Sequence, residues 1–172
     1  MIGKQDLMQD KRKDRAYMIE PESMNMKRLE NHEVVVGRRF SLSKTITDTD
    51  IYLFAGIVGD FNPIHVNDEY AKPRRGGRIA HGMLTAAFMS TIMGMGFASD
   101  STFLEESAKF KAAVYPNDTI TALGEITDVT FTKSGRRIAT VTVTMTNQKG
   151  EIVLEGLCKN ISAGVVKENG QS

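Results

Sequence analysis

Four strand-like segments in the last third of the chain directly follow its most apolar segment. They are rich in Val, Ile and Thr, they largely alternate polar and apolar residues, and they span Phe103–Val114, Thr119–Thr132, Arg136–Asn147 and Glu151–Ser162. Turn-forming residues separate them at Pro116-Asn117-Asp118, Ser134-Gly135 and Lys149-Gly150. Because short connections join antiparallel neighbours, the pattern predicts an antiparallel meander.

The apolar segment, His81–Phe97, predicts a long helix. Apolar side chains cover nearly every face of that helix, so we expect other structure to enclose it, with its methionines filling the core. A buried helix followed by antiparallel strands predicts an α+β fold, an antiparallel sheet wrapped around a long central helix. One sheet around one helix leaves an edge and a face uncovered. The arrangement therefore predicts a homodimer or a higher oligomer of dimers.

The residues before the apolar segment predict a strand and a capped helix. Alternating apolar and polar residues favour a strand over Arg39–Ile46. Apolar residues at helical spacing favour a helix over Asp48–Val58. Thr47 is typical of the residue that caps a helix N-terminus, and Gly59 of the residue that ends one.

The length of 172 residues predicts one domain, since a chain of this size can bury about 70% of its unfolded surface. We assign that domain to residues 34–163 and a flexible tail to residues 164–172. Residues 1–33 carry many charges and few apolar side chains. They predict an arm, partly helical around Gln5–Tyr17, that is mobile or docks on a partner subunit.

The charge balance argues against nucleic-acid and membrane partners. Lys and Arg number 22 and Asp and Glu 21, so a net charge of +1 provides no field that attracts polyanions. No apolar run is typical of a signal peptide or a membrane span. The single cysteine, Cys158, cannot form an internal disulfide, which predicts a reducing, cytoplasmic location. No Cys/His cluster has zinc spacing.

Asp60 and His65 are the first candidates for chemistry, because carboxylates and imidazoles move protons near neutral pH. On a continuous helix, five residues would turn them about 140° apart. Asn62-Pro63 interrupts the helix and opens a short one that runs to about Ala71. The turn therefore allows Asp60 to face His65.

The second candidate is the start of the apolar helix, His81-Gly82-Met83. A helix N-terminus has unpaired N–H groups and a positive dipole end, and Gly82 lets a ligand approach the backbone closely. This position suits a carbonyl oxygen on which negative charge develops. We expect His81 to cap or pack rather than to catalyse.

Together, Asp60-Phe61-Asn62-Pro63-Ile64-His65, His81-Gly82-Met83 and Ser90 resemble the signature of MaoC-like dehydratases, the (R)-specific enoyl-CoA hydratases. The resemblance covers about Arg39 to Ser162. It implies the hot-dog fold, hydration of a trans-2-enoyl thioester of coenzyme A, and no metal or redox cofactor. It also implies that Asp60 and His65 are the catalytic pair, that the Gly82 N–H binds the thioester oxygen, and that Ser90 and Asn62 help to bind substrate.

Four basic residues near this signature, in and beside an expected loop over Pro73–Arg78, are candidates to bind phosphates of coenzyme A: Lys72, Arg74, Arg75 and Arg78. Two other functions remain open at this point. One is dehydration of 3-hydroxyacyl groups on acyl-carrier protein, and the other is non-catalytic binding of acyl-CoA. A hot-dog thioesterase is disfavoured by the Asp60–His65 pair across the Asn-Pro turn.

Overall fold

A computed structural model of the chain describes residues 17–18, 34–96 and 101–165. Ten elements lie within these residues, in the order β1 (Tyr17–Met18), β2 (Arg39–Thr45), α1 (Asp48–Val58), α2 (Pro63–Val66), α3 (Asp68–Arg75), α4 (Gly82–Gly96), β3 (Thr102–Phe110), β4 (Thr119–Phe131), β5 (Arg136–Thr146) and β6 (Ile152–Val165). No helix in these ranges is long and apolar enough to cross a membrane.

The strands form one sheet in the order β1-β2-β4-β5-β6-β3. β4, β5 and β6 are the predicted meander, but β3 pairs with β6 rather than with β4, so the meander is wrong at its first connection. The eight residues after β3 contain Pro116 and form no hairpin. Instead, Ala80 donates to the carbonyl of Val114 and Asn117 donates to that of Ile46, which takes the chain past the start of α4 to the end of β2.

Helix α4 packs its buried face against this sheet. Met89, Ile92 and Met93 of α4 join the core with buried residues from the central strands, among them Ile126, Val141, Val143, Met145, Leu154 and Cys158. Gly156 of β6 permits the close approach, because a Cβ there would overlap the Met89 side chain. The sheet therefore wraps around a central helix, as predicted.

The expected enclosure of α4 is wrong on one side. Met83, Ala87, Ser90 and Gly94 are all exposed, and their spacing of four, three and four residues places them on one helix face. Met83 is 61% exposed. A single sheet covers only one side of a helix, so this face is open in the described part of one chain.

The caps of α1 match the prediction. The Thr47 hydroxyl accepts from Asp50 N, the Asp50 carboxylate accepts from Thr47 N, and Gly59 ends the helix at φ 76°. Burial acts to raise the pKa of Asp50. Hydrogen bonds from Lys44 and Thr47 outweigh that effect and lower the pKa below 3.8.

The predicted helix from Pro63 is instead two helices. Asn67 ends α2, and its side chain accepts from Tyr70 N, so it caps α3. The expected loop over Pro73–Arg78 is also wrong at its start, because α3 continues through Pro73 to Arg75. Only two helical residues, Arg74 and Arg75, follow the proline, so the loss of one helical hydrogen bond there is tolerated.

The predicted bounds of the N-terminal helix and of the C-terminal tail are each wrong at one end. Tyr17, the last residue of the expected helix in the arm, lies in β1, which pairs in parallel with β2. β6 continues to Val165, two residues into the expected tail. The rest of the arm and the tail beyond Val165 lie outside the described residues.

Candidate active site

The Asp60 carboxylate is fixed by its own turn. Gly59 ends α1 in the left-handed conformation, and Asp60 Oδ1 accepts from Asn62 N at 3.1 Å. Asn62 Oδ1 in turn accepts from Ile64 N at 3.1 Å and starts α2. One carboxylate oxygen of Asp60 is therefore anchored, while the side chain as a whole is 53% exposed and its Oδ2 faces His65.

The His65 ring is held in a defined tautomer. Its Nδ1 lies 2.8 Å from the carbonyl oxygen of Ile79, and a carbonyl can only accept, so Nδ1 carries the proton. In the neutral ring, Nε2 then has a free lone pair. Nε2 lies 3.9 Å from Asp60 Oδ2, too far for a direct hydrogen bond and suited to two groups that share a water. The geometry thus brings the predicted pair together.

His81 connects the two members of this pair. It is only 3% exposed, its Nε2 lies 2.9 Å from the carbonyl oxygen of Asp60, and its ring stacks on His65 with centroids 3.8 Å apart. Its own carbonyl accepts from the N–H groups of Leu84 and Thr85, at the start of α4. His81 therefore packs and starts the helix, as predicted.

Asp60, His65 and His81 are also the one group of potential metal ligands found within the described residues, with ligand atoms within 4.8 Å of one another. The two rings are stacked at an interplanar angle of 27°. An ion bound by two imidazoles must lie in the plane of each ring, and nearly parallel stacked rings do not meet that condition. The arrangement fits proton transfer better than metal binding.

Gly82 is the first residue of α4. Its N–H points out of the helix N-terminus, where no intrahelical acceptor exists. A Cβ at this position would lie 3.2 Å from Cε1 of Phe110, so the absence of a side chain allows Phe110 to cover this point. A cavity of about 300 Å³ adjoins it, lined by Gly82, Thr85, Phe110 and Val114 among others. These features suit a carbonyl group in the cavity with its oxygen at the helix N-terminus.

The two other expected binding residues are placed differently. Ser90 is exposed on the open face of α4, eight residues past Gly82, or about 12 Å along the helix axis. The side-chain oxygen of Asn62 accepts from Ile64 N and caps α2, and the amide NH₂ of Asn62 takes no part in that hydrogen bond. Both stay predictions as substrate-binding residues.

The basic cluster divides into two kinds of residue. Arg78 is largely buried and bonds Asp48 and Asp68 at 2.8 and 2.9 Å, so it joins α1 to α3 rather than facing a ligand. The bond to Asp68 is the main reason that the pKa of Arg78 is raised. Arg74 bonds the Tyr70 carbonyl and lies over the Tyr70 ring. Lys72 and Arg75 are exposed.

Three features of the site were not predicted from sequence. These are the Ile79 carbonyl that orients His65, the stacking of His81 on His65, and the cover of Gly82 by Phe110. Each joins residues that no local pattern pairs. The His81-Gly82-Met83 segment was the one available signal, and it indicated a helix start and a place for a carbonyl oxygen but none of these three contacts.

An antiparallel sheet wrapped around a central helix is the architecture of the hot-dog class of proteins, and here His81 links an Asp–His pair to the N-terminus of that helix. Residues 32–151 match the MaoC-like domain, and the chain belongs to that family. It is 40% identical over 126 residues to an (R)-specific enoyl-CoA hydratase of Rhodospirillum rubrum, covering 72% of this chain and 85% of the relative.

Two further likenesses agree with this assignment. A 3-hydroxybutyryl-CoA dehydratase of Methylorubrum extorquens is 29% identical, over 72% of this chain and 78% of the relative. The solved structure of the (R)-hydratase from A. caviae involved in PHA biosynthesis superposes with a TM-score of 0.68. It is 30% identical, over 76% of this chain and 97% of that one. The hot-dog fold predicted from the sequence is confirmed.

Proposed function

We propose that this protein is a hydro-lyase that adds water to trans-2-enoyl-CoA, giving (R)-3-hydroxyacyl-CoA, and that it catalyses the reverse dehydration. The observation that carries the proposal is the 3.9 Å separation of Asp60 Oδ2 and His65 Nε2. His81, which bonds the Asp60 carbonyl, links this pair to the start of α4. The names of the R. rubrum and A. caviae relatives support the reaction and its handedness.

In this mechanism, one water binds between Asp60 Oδ2 and His65 Nε2. The lone pair of His65 Nε2 takes a proton from it as its oxygen bonds to C3 of the substrate. The electrons of the C2–C3 double bond move toward the thioester oxygen. The Asp–His pair then returns a proton to C2, so the net change is the addition of one water.

The thioester oxygen needs a donor while it carries this charge. The Gly82 N–H at the positive end of α4 is the group we assign to it, with the acyl thioester in the adjoining cavity. Loss of one such donor typically costs about 3 kcal/mol of transition-state stabilisation. Lys72 and Arg75, both exposed on α3, are the basic residues left to meet phosphates of coenzyme A.

The test is hydration of crotonyl-CoA and longer enoyl-CoA substrates, followed by the loss of enoyl absorbance. Crotonyl-acyl-carrier protein is run in parallel. Faster turnover of the carrier-protein thioester at equal concentration would identify the alternative, a dehydratase of acyl-carrier-protein substrates. Binding of acyl-CoA without any turnover would identify a non-catalytic protein.

We further propose that the active form is a homodimer or a higher oligomer of dimers. Among the described strands, β3 is bonded only to β6, so its second edge is unpaired. Leu104 and Phe110 on β3 are 51% and 52% exposed, and the Phe110 ring lies against Gly82 at the start of α4. β3 also carries charges of both signs, at Glu105, Glu106 and Lys109, which suits antiparallel pairing with its own copy. Sedimentation that showed a stable, active monomer would contradict this assembly.

We place the protein in the cytoplasm on the basis of its cysteine. Cys158 is buried in the core as a free thiol. Burial, with the nearby charge of Glu106, raises the pKa of this thiol to about 12, which keeps it unreactive. A single cysteine that stays a free thiol suits a reducing compartment.

A further inference from the structure

His81 has no task in the proposed reaction, yet it touches each part of the site. Its Nε2 bonds the backbone of Asp60, its ring covers His65, and the next residue, Gly82, supplies the N–H assigned to the thioester oxygen. The His81 side chain therefore lies where it contacts both members of the Asp60–His65 pair, directly before Gly82 of α4.

The hydrogen bonds of His81 define which nitrogen of its neutral ring carries the proton. Nε2 must be a donor, because its partner at 2.9 Å is the carbonyl oxygen of Asp60. Nδ1 is buried and has no hydrogen-bond partner among the described residues. A proton on Nδ1 would therefore be a buried donor without an acceptor among the described residues. In the neutral ring, the proton is therefore on Nε2.

This state is opposite to that of His65, whose proton is on Nδ1. In their neutral forms, the two stacked rings thus carry their protons on different nitrogens, each fixed by one backbone carbonyl. The flat face of His81 lies against the His65 ring, with centroids 3.8 Å apart.

We propose that His81 is a positioning residue that holds the Asp60 backbone and the His65 ring at the separation that binds the reacting water. This role rests on the proposed function. His81 contacts neither the water nor the substrate in this mechanism. It acts on kcat, because the spacing of the pair matters only when the proton moves. A displacement of about 1 Å in such a pair costs on the order of 100-fold in rate.

Two substitutions separate the contributions of His81. His81→Phe keeps a flat ring against His65 and removes the donor to Asp60, whereas His81→Gln keeps a donor near the place of Nε2 and removes the ring. We expect His81→Phe to lower kcat on crotonyl-CoA by about 10- to 100-fold with KM changed less than about twofold. His81→Gln should recover part of that loss. A folded His81→Phe variant with wild-type kcat would overturn the proposal.

A second measurement does not depend on turnover or on the folding of a His81 variant. The chain has three histidines, His32, His65 and His81, so ¹⁵N-labelled imidazole signals of the wild-type protein can be assigned by comparison with the His32→Gln and His65→Gln variants. We expect the neutral His81 ring to carry its proton on Nε2 and the neutral His65 ring to carry its proton on Nδ1. A neutral His81 ring with its proton on Nδ1 would overturn the proposal.

The outcomes also separate this role from the reaction itself. An inactive wild-type protein contradicts the proposed function, whatever the tautomers are. An active wild-type protein together with an equally active His81→Phe variant contradicts only the role of His81.

Discussion

The carboxylate of Asp60 and the imidazole of His65 face each other across the Asn62-Pro63 turn, with Oδ2 and Nε2 3.9 Å apart. The anchored oxygen of Asp60 bonds Asn62 N, and the anchored nitrogen of His65 bonds the Ile79 carbonyl. Each residue thus uses one polar atom to fix its orientation and presents the other to the same point.

Replacing Asp60 by Asn or His65 by Gln should lower kcat on crotonyl-CoA by a factor of about 100 or more, the usual contribution of an acid–base group. Asn keeps an oxygen that can accept from Asn62 N, so Asp60→Asn should fold normally. Thermal unfolding and steady-state kinetics check both variants. Asp128→Asn is the matched control, because Asp128 is exposed on β4 outside the site. Turnover like that of the wild type in either site variant would remove the pair from the mechanism.

Gly82→Ala should lower kcat by about tenfold or more, because its Cβ would lie 3.2 Å from the Phe110 ring and crowd the helix N-terminus. Gly56→Ala in α1 is the control, since a Cβ there has no atom within 4 Å. It should keep full activity and gain about 0.5–1 kcal/mol of stability. Adding Phe110→Leu to Gly82→Ala tests the contact, and we expect partial recovery. A fully active Gly82→Ala enzyme would contradict the assignment of the Gly82 N–H to the thioester oxygen, or show that the added Cβ does not crowd it.

Asp50→Asn should lower the free energy of unfolding by about 1 kcal/mol at pH 7, because it weakens the capping box of α1. The pKa of Asp50 is lowered in the folded protein, so its stabilisation is present above the unfolded value of 3.8 and is lost as pH falls below it. Urea unfolding of both proteins at several pH values tests this. The difference should be constant near neutral pH and shrink toward pH 3; a difference that grows in acid would contradict the assignment.

The boundaries of α1 could be predicted because their causes are local. Thr47 and Gly59 act on backbone groups a few residues away, and the structure places both caps as the sequence indicated. The Asp60–His65 pair could also be predicted from the sequence, because one short turn joins the two residues.

The position of β3 and the role of His81 depend instead on contacts distant in sequence. β3 pairs with β6, about fifty residues later, and the choice between β4 and β6 is made by the path of the segment after Phe110. His81 bonds Asp60 across twenty-one residues. Hydrophobic periodicity reports which residues are buried, but not which buried groups meet.

Replacing Lys72 and Arg75 by Gln should raise KM for crotonyl-CoA, by about two- to fivefold for each residue, and leave kcat unchanged. The effect should disappear with crotonyl-pantetheine, which lacks the nucleotide phosphates, and should fade at high salt. Lys133→Gln, in the exposed turn between β4 and β5, is the control. An equal rise in KM for both thioesters would place these residues away from the phosphates.

The most direct test of the central claim is the stereochemistry of hydration. If Asp60 and His65 hold one water on one face of the double bond, while Gly82 fixes the carbonyl end, both new bonds form on that face. Crotonyl-CoA hydrated in deuterated water, with the product analysed by chiral chromatography and NMR before equilibrium, should give only (R)-3-hydroxybutyryl-CoA with deuterium at C2 added syn. An (S) product would contradict the proposed function, and a racemic or anti product would contradict a water held between Asp60 and His65.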